Sequence, residues 1–151
     1  ILPVCLGETG GAVVLGHVVA LALADHGAQR MRAQTLQTLG MVGGNVAFQD
    51  PEARLLFNAA YGVGSQVGGM LPFSRSHEAE ADRIGLQIMA IAGYDPGEAP
   101  ELWKRMKANS KGSPPEILST HPSNDSRIAN LTQWVPGAVA EARKFGVTSF
   151  Q

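Results

Sequence analysis

The sequence has little of several features that usually point to a function. Cys5 is its one cysteine, which excludes an internal disulfide and a Cys–His zinc finger, and we expect it to be a buried or loop thiol. The 12 basic and 13 acidic residues leave a net charge of -1, without the basic patch that nucleic-acid binding needs. The longest apolar run, residues 11–24, is shorter than a membrane span and contains His17, and no signal-peptide pattern precedes it. We therefore expect no nucleic-acid partner and no membrane segment in this chain.

What the sequence does contain is typical of a globular protein. Hydrophobic residues make up 44% and charged residues 17%, which indicates neither disorder nor a membrane protein. The 151 residues suffice for one core, and we expect a single domain over residues 1–151. Strict alternation of apolar and polar residues is rare, whereas helical spacing is common. This pattern predicts a mainly α fold.

Cap residues and prolines mark where the helices are expected to begin. An acid and a hydroxyl near residue 8 start the first helix, which is expected over about 8–28. A later helix is expected over about 75–92. The residues expected to start further helices, by capping or by a fixed backbone angle, are Asp50 with Pro51, Ser74 and Pro136.

Residues 17–21 read His-Val-Val-Ala-Leu, which looks like a zinc-peptidase motif with its reactive residues replaced. In the motif HExxH, two histidines one helical turn apart bind zinc, and the glutamate takes the proton of the metal-bound water. His17 keeps the first position, but Val18 stands at the glutamate and Leu21 at the second histidine. Hydrocarbon side chains neither ligate zinc nor move a proton, so the pentad alone predicts an apolar buried helix.

Two carboxylates farther along the chain share one face of a helix. Glu78 and Asp82 are one turn apart, which places both side chains on the same side. A glutamate on a helix is the usual third ligand of a zinc held by HExxH. The alternative is a solvated acidic face paired with Arg75 and Arg83, which this segment taken alone favours.

Two further histidines are weaker candidates. His121 precedes Pro122 in a loop, where a histidine is more often structural or exposed than catalytic. His26 follows His17 by nine residues, which puts it on roughly the opposite face of a helix. We expect His26 to pack, or to support a ligand from behind, rather than to bind metal.

The order of these segments resembles the zinc peptidases of metallopeptidase family M48, in particular the Oma-like and HtpX-like quality-control proteases. The resemblance extends from residue 1 to about residue 134. The segments that carry it are Ile1–Val4, Ala12–His17, Ala22–Met31, Ser74-Arg75 with Glu78–Asp82, and Ser119–Pro122 with Arg127-Ile128.

This resemblance implies a helical gluzincin core that uses zinc and cleaves polypeptides. It implies His17 and Glu78 as metal ligands, His121 near the mouth of the site, and Asp82 as the carboxylate that orients a ligand histidine. It also implies a location in the bacterial envelope or at a membrane. The strands that precede the helical part in the family are largely absent from this chain, which puts the substrate-binding platform in doubt.

The departures from the family pattern fall on one side of the first helix. Gly11, Val18 and Leu21 share a stripe that would line the metal site. A family member is expected to carry a leucine-like residue, a glutamate and a histidine at these positions. Because the changes are grouped rather than scattered, they favour an engineered variant over a natural pseudo-enzyme.

Three functions are compatible with this pattern. The first is an inactive peptidase scaffold, in which His17, Glu78 and His121 hold zinc weakly or not at all. The second is a metal-free pocket in which His17 and Glu78 transfer a proton or hydrolyse an activated ester. The third is a non-catalytic interaction domain. The sequence specifies no oligomeric state.

Overall fold

The computed structural model describes residues 5–109 and 125–151. Within these ranges the chain is helical and contains no strand, which confirms the predicted mainly α class. The helices are α1 Glu8–Leu23, α2 His26–Ala47, α3 Pro51–Ser65, α4 Leu71–Ile91, α5 Glu98–Asn109 and α6 Asp125–Lys144. A π-helical turn, Gln66–Met70, joins α3 to α4. None of these helices alone is long and apolar enough to cross a membrane, and α1 and α2 reach that length and composition only when counted together.

The chain divides into two compact units. The core unit consists of Ile1–Ala24 and Glu78–Gln151. The hairpin unit is the continuous segment Asp25–His77. Helix α4 contributes its first turns to the hairpin unit and its later turns to the core unit.

The core unit packs α1, α5, α6 and the later turns of α4 around one hydrophobic core. On α5 the apolar residues recur at helical spacing, so one face of that helix is buried. Burial of a large apolar side chain stabilises the fold by roughly 1.5–3 kcal/mol. The larger buried members of this core are Val13, Leu86, Met89, Leu102, Trp103, Met106 and Leu131.

Helices α1 and α4 cross at a pair of glycines. A β-carbon on Gly16 would lie 2.7 Å from the carbonyl oxygen of Gly85, and one on Gly85 would lie 2.7 Å from the backbone nitrogen of His17. Both distances are below a normal contact, so only residues without a β-carbon allow the two backbones to approach this closely. The crossing brings His17 next to the turns of α4 that precede Gly85.

In the hairpin unit, α2 and α3 run side by side. Glycines on α2 leave room for aromatic rings of α3, with Tyr61 seated against Gly40 and Phe57 against Gly44. The two rings are also stacked, with centroids 5.3 Å apart. These contacts set the close spacing of the two helices.

The cap predicted at Asp50 is confirmed, because its Oδ2 accepts a hydrogen bond of 2.8 Å from the backbone nitrogen of Ala53 at the start of α3. The predicted extent of the first helix is wrong. Helix α1 ends at Leu23, since Asp25 adopts a left-handed backbone with φ of 55°, and α2 begins at His26.

Two other predicted helix starts are wrong. Ser74 lies inside α4, and its hydroxyl accepts a hydrogen bond of 3.0 Å from Nη2 of Arg30. Pro136 lies inside α6. A proline in a helix removes one backbone donor, but the buried residues Leu131 and Ala138 on either side of it pack into the core and keep the helix continuous.

Candidate functional site

His17 lies on α1 in the core unit and is buried, with 3% of its surface exposed. A buried histidine needs polar partners, and it finds them on α4. Its Nδ1 lies 2.9 Å from Oδ1 of Asp82, and its Nε2 lies 3.3 Å from Oε2 of Glu78. Because the carboxylates are one turn apart, both reach the same ring. The interpretation of Glu78 and Asp82 as a solvated acidic face is therefore wrong.

Helix α6 adds Arg127 to the same cluster. Its Nε and Nη2 donate to the two oxygens of Asp82 at 2.5 and 2.6 Å, and its Nη1 lies 3.1 Å from Oε2 of Glu78. The guanidinium carbon lies 3.6 Å from the centroid of the Trp103 ring, a cation–π contact. A bidentate ion pair, a second carboxylate and an aromatic face thus hold one buried arginine.

Sequence reasoning missed Arg127 and Trp103 as members of the site, although a signal for Arg127 was present. Arg127 lies on the same stripe of α6 as Leu131 and Ala138, both of which are buried. A charged residue is almost never fully buried without a partner of opposite charge. An arginine on an apolar stripe therefore indicates a buried ion pair.

The charges of the cluster balance when His17 is protonated. Burial has the largest single influence on its pKa and lowers it, because a charged ring is disfavoured away from water. Hydrogen bonds to Asp82 and Glu78 act in the opposite direction and prevail over burial and the like charge of Arg127, so the pKa of His17 is raised above its ordinary value of 6.5. Two cations then face two carboxylates in the protein interior.

We expect the contribution of His17 to stability to be lost as the pH rises. A group whose pKa is higher in the folded state stabilises the fold fully below its unfolded pKa, here about 6.5, and ceases to do so above its folded pKa. The free energy of unfolding of the parent chain minus that of His17→Gln should therefore fall as the pH is raised above about 6.5. Urea denaturation of both proteins measures this difference. The other histidines are present in both proteins, so their contributions to the pH dependence cancel. A difference that stays constant or grows with pH would contradict the prediction.

The structure has a small cavity against His17, which the three positions that depart from the family pattern do not line. The cavity against His17 has a volume of about 10 Å³, room for about one water, and its described lining includes none of Gly11, Val18 and Leu21. Gly11 instead lines an apolar groove of about 400 Å³ between α1 and the end of α4. Val18 is 50% exposed.

The other candidate histidine that the structure describes is His26. His26 belongs to the hairpin unit, where its buried ring stacks on His77 with the centroids 4.2 Å apart. Nε2 of His77 lies 3.1 Å from Oε1 of Gln29. These contacts are compatible with the packing role expected for His26. His121 lies outside the described residues.

The structure thus brings together His17, Glu78 and Asp82, to which the family resemblance assigns two metal ligands and an orienting carboxylate. Comparison with known proteins identifies the family. Residues 4–135 match the description "Peptidase family M48". This chain belongs to peptidase family M48.

Its M48 relatives include metalloendopeptidases and a protease. The mitochondrial metalloendopeptidase OMA1 of Schizosaccharomyces pombe is 40% identical over 141 residues, which cover 91% of this chain and 40% of the relative. The corresponding protein of Saccharomyces cerevisiae is 36% identical over 145 residues, with coverage of 91% and 40%. The beta-barrel assembly-enhancing protease of Escherichia coli K12 is 33% identical over 130 residues, with coverage of 82% and 26%. The chain thus spans 40% or less of the length of these relatives. No solved structure matches it.

Zinc is the metal of the M48 family, but the described residues do not form its site. Nε2 of His17 and Oε2 of Glu78 are 3.3 Å apart, close to the roughly 3.4 Å expected between two ligands of a tetrahedral zinc. Among the described residues no third ligand joins them, because Leu21 has no donor and the His, Cys, Asp and Glu residues of these ranges include no group of three that could hold a metal. The guanidinium of Arg127, 3.1 Å from the same glutamate oxygen, also brings positive charge to this place.

Proposed function

We propose that this M48 domain does not hydrolyse peptide bonds by the zinc mechanism of its family. That mechanism needs a glutamate beside the first ligand histidine and a second histidine one turn later. The chain carries Val18 and Leu21 at these places. General acid–base catalysis contributes about 10²–10⁴-fold, so replacement of the glutamate alone would remove most of the peptidase rate.

The observation that carries this proposal is the set of ligands around His17, where Glu78 lies 3.3 Å from Nε2 but Leu21, one turn after His17, has no donor. The glutamate oxygen that faces His17 also lies 3.1 Å from Nη1 of Arg127. A carboxylate that a guanidinium also engages is a weaker metal ligand, and two protein ligands hold a zinc ion less tightly than three. We therefore infer that zinc is held weakly or not at all, even with His121 as a third ligand.

In this proposal the chain acts as a scaffold derived from a peptidase. Its relatives are named as metalloendopeptidases and as a protease, so polypeptides are the partners that we propose for it as well. Binding without cleavage would make it a pseudo-enzyme.

Restoring the motif should restore the metal. We expect the double variant Val18→Glu with Leu21→His to copurify with stoichiometric zinc and to cleave casein, because it regains the proton acceptor and the missing ligand. The parent chain should do neither. Metal analysis of the purified proteins and a casein digestion assay measure the two results separately.

A control introduces the same two residue types, a glutamate and a histidine, on another face of α1. Val19→Glu with Leu23→His changes two exposed residues, 44% and 70% exposed, without creating HExxH. This control should bind no stoichiometric zinc. Zinc without cleavage in the restored variant would locate the remaining defect in substrate binding. Tightly held zinc together with casein cleavage in the parent chain would overturn the proposal.

A second candidate function rests on the 3.3 Å distance between Nε2 of His17 and Oε2 of Glu78. Such a pair can transfer a proton without a metal. Its burial beside a cavity of about 10 Å³ leaves no room for an organic substrate in this conformation, so we rank it second. Equal rates of activated-ester hydrolysis in the parent, His17→Ala and Glu78→Gln would remove it.

A further inference from the structure

The hairpin unit exposes an unusual amount of apolar surface. No residue of α3 is buried, and large apolar side chains of α2, α3 and the π-helical turn are 54–73% exposed. They recur at helical spacing, so each helix presents an apolar stripe on its outer side. Apolar surface of this extent marks a site of interaction on a folded protein. The residues concerned are Met31, Leu36, Leu39, Val42, Val46, Leu55, Leu56, Val63 and Val67.

Polar side chains, by contrast, lie between the two helices. Nε2 of Gln37 donates to the hydroxyl of Ser65 at 2.8 Å, and Nδ2 of Asn58 donates to Oδ1 of Asn45 at 2.9 Å. The hydroxyl of Tyr61 donates to the backbone carbonyl of Gln37 at 3.1 Å. Apart from the rings of Phe57 and Tyr61, the polarity of the hairpin is therefore reversed, because a helix pair in water places its aliphatic side chains in the seam.

The charges of the hairpin unit lie at its two ends. Residues 33–49 and 55–74 contain no Asp, Glu, Lys or Arg. Arg30, Arg32 and Arg75 are exposed at the end where the chain enters and leaves the unit, and the hydrogen bond from Arg30 to Ser74 places Arg30 beside the residue that precedes Arg75. Asp50, Glu52 and Arg54 lie at the opposite end, beside the start of α3, and Asp25 is the one acid at the arginine end.

We propose that the outer faces of α2 and α3 bind a lipid bilayer. Their leucine and valine side chains enter the boundary between headgroups and acyl chains, and the three arginines at one end face anionic headgroups. Reversed polarity favours lipid, because helices in an apolar solvent associate through small residues and side-chain hydrogen bonds. It disfavours a protein partner, because Phe57 and Tyr61, aromatic residues of the kind that dominates protein interfaces, are turned into the seam, while Phe48 beyond the end of α2 is 43% exposed. The proposal is independent of whether the chain cleaves peptides.

Vesicle flotation of the full chain tests this surface. The parent should float with vesicles of phosphatidylcholine and phosphatidylglycerol, and less with phosphatidylcholine alone. Leu56→Glu and Val63→Glu should each lower the ratio of vesicle-bound to free protein about tenfold or more. Each change removes an apolar side chain that would be buried in the bilayer and adds a charge. Arg32→Gln with Arg75→Gln should reduce the preference for the anionic vesicles.

Leu15→Glu is the matched control, because Leu15 is 66% exposed on α1, outside the hairpin unit. It should float like the parent. Helical content by circular dichroism should be the same in all variants, since the changed side chains are exposed. Absence of flotation by the parent, or an equal loss in Leu15→Glu, would overturn the proposal. A dimer in sedimentation that Leu56→Glu converts to monomer, without flotation, would instead identify a second copy of the chain as the occupant.

Discussion

Replacing Arg127 with methionine should lower the free energy of unfolding by about 3–5 kcal/mol. The substitution keeps a long side chain but removes the cation that neutralises Glu78 and Asp82, and Asp82 is only 4% exposed. A buried carboxylate without its partner bears the full cost of desolvation. Urea denaturation followed by circular dichroism measures the loss, which is large against the roughly 5–15 kcal/mol stability of a typical domain.

Arg143→Met on the same helix is the control for this variant. Arg143 lies in the exposed last turn of α6, where the same change should cost less than about 1 kcal/mol. Adding Asp82→Asn to Arg127→Met should cost less than the sum of the single changes, because the second removes a charge that the first leaves unpaired. Equal losses in Arg127→Met and Arg143→Met would show that the cluster does not stabilise the fold.

Gly16→Ala should destabilise the chain by about 2–4 kcal/mol, although alanine is the better helix former. The new β-carbon would lie 2.7 Å from the backbone carbonyl oxygen of Gly85. Backbone cannot rotate away as a side chain can, so α1 and α4 must move apart. That movement should also separate His17 from Asp82 and reduce the dependence of stability on pH. Urea denaturation at two pH values measures both effects.

Gly11→Ala gives the opposite expectation on the same helix. A β-carbon on Gly11 would meet nothing within 4 Å. This change should therefore stabilise the chain by about 0.5–1 kcal/mol, the ordinary advantage of alanine over glycine in a helix. If Gly16→Ala were stabilising as well, the close crossing of α1 and α4 would be refuted.

The features that depend on neighbouring residues could be predicted from the sequence. Asp50 before Pro51 starts α3 because a cap and a fixed backbone angle act within one turn. The shared face of Glu78 and Asp82 follows from their spacing on α4. The break at Asp25 was not predicted, because the left-handed backbone falls on the aspartate itself, while the nearest glycine, Gly27, lies inside α2.

The partners in the site could not be predicted, because they depend on which helices meet. Arg75 and Arg83 are closer to the two carboxylates in sequence, yet Asp82 pairs with Arg127, 45 residues away. Once the carboxylates turn toward the core, only a buried cation can satisfy them. The close contact between Gly16 and Gly85 could not be predicted either, because neither segment alone indicates that the two backbones meet.

The path of the chain also determines the order in which its parts can fold. The hairpin unit is continuous in sequence, so its contacts close short loops. The core unit joins distant segments, since His17 and Arg127 are 110 residues apart and the Thr9 hydroxyl donates to the backbone of Gln151, 142 residues away. Non-local contacts of this kind form slowly, and during synthesis they cannot form before the last helix has been made. Until α6 has been made, His17 and its two carboxylates lack the arginine that balances them, so the last helix rather than the motif helix completes the fold.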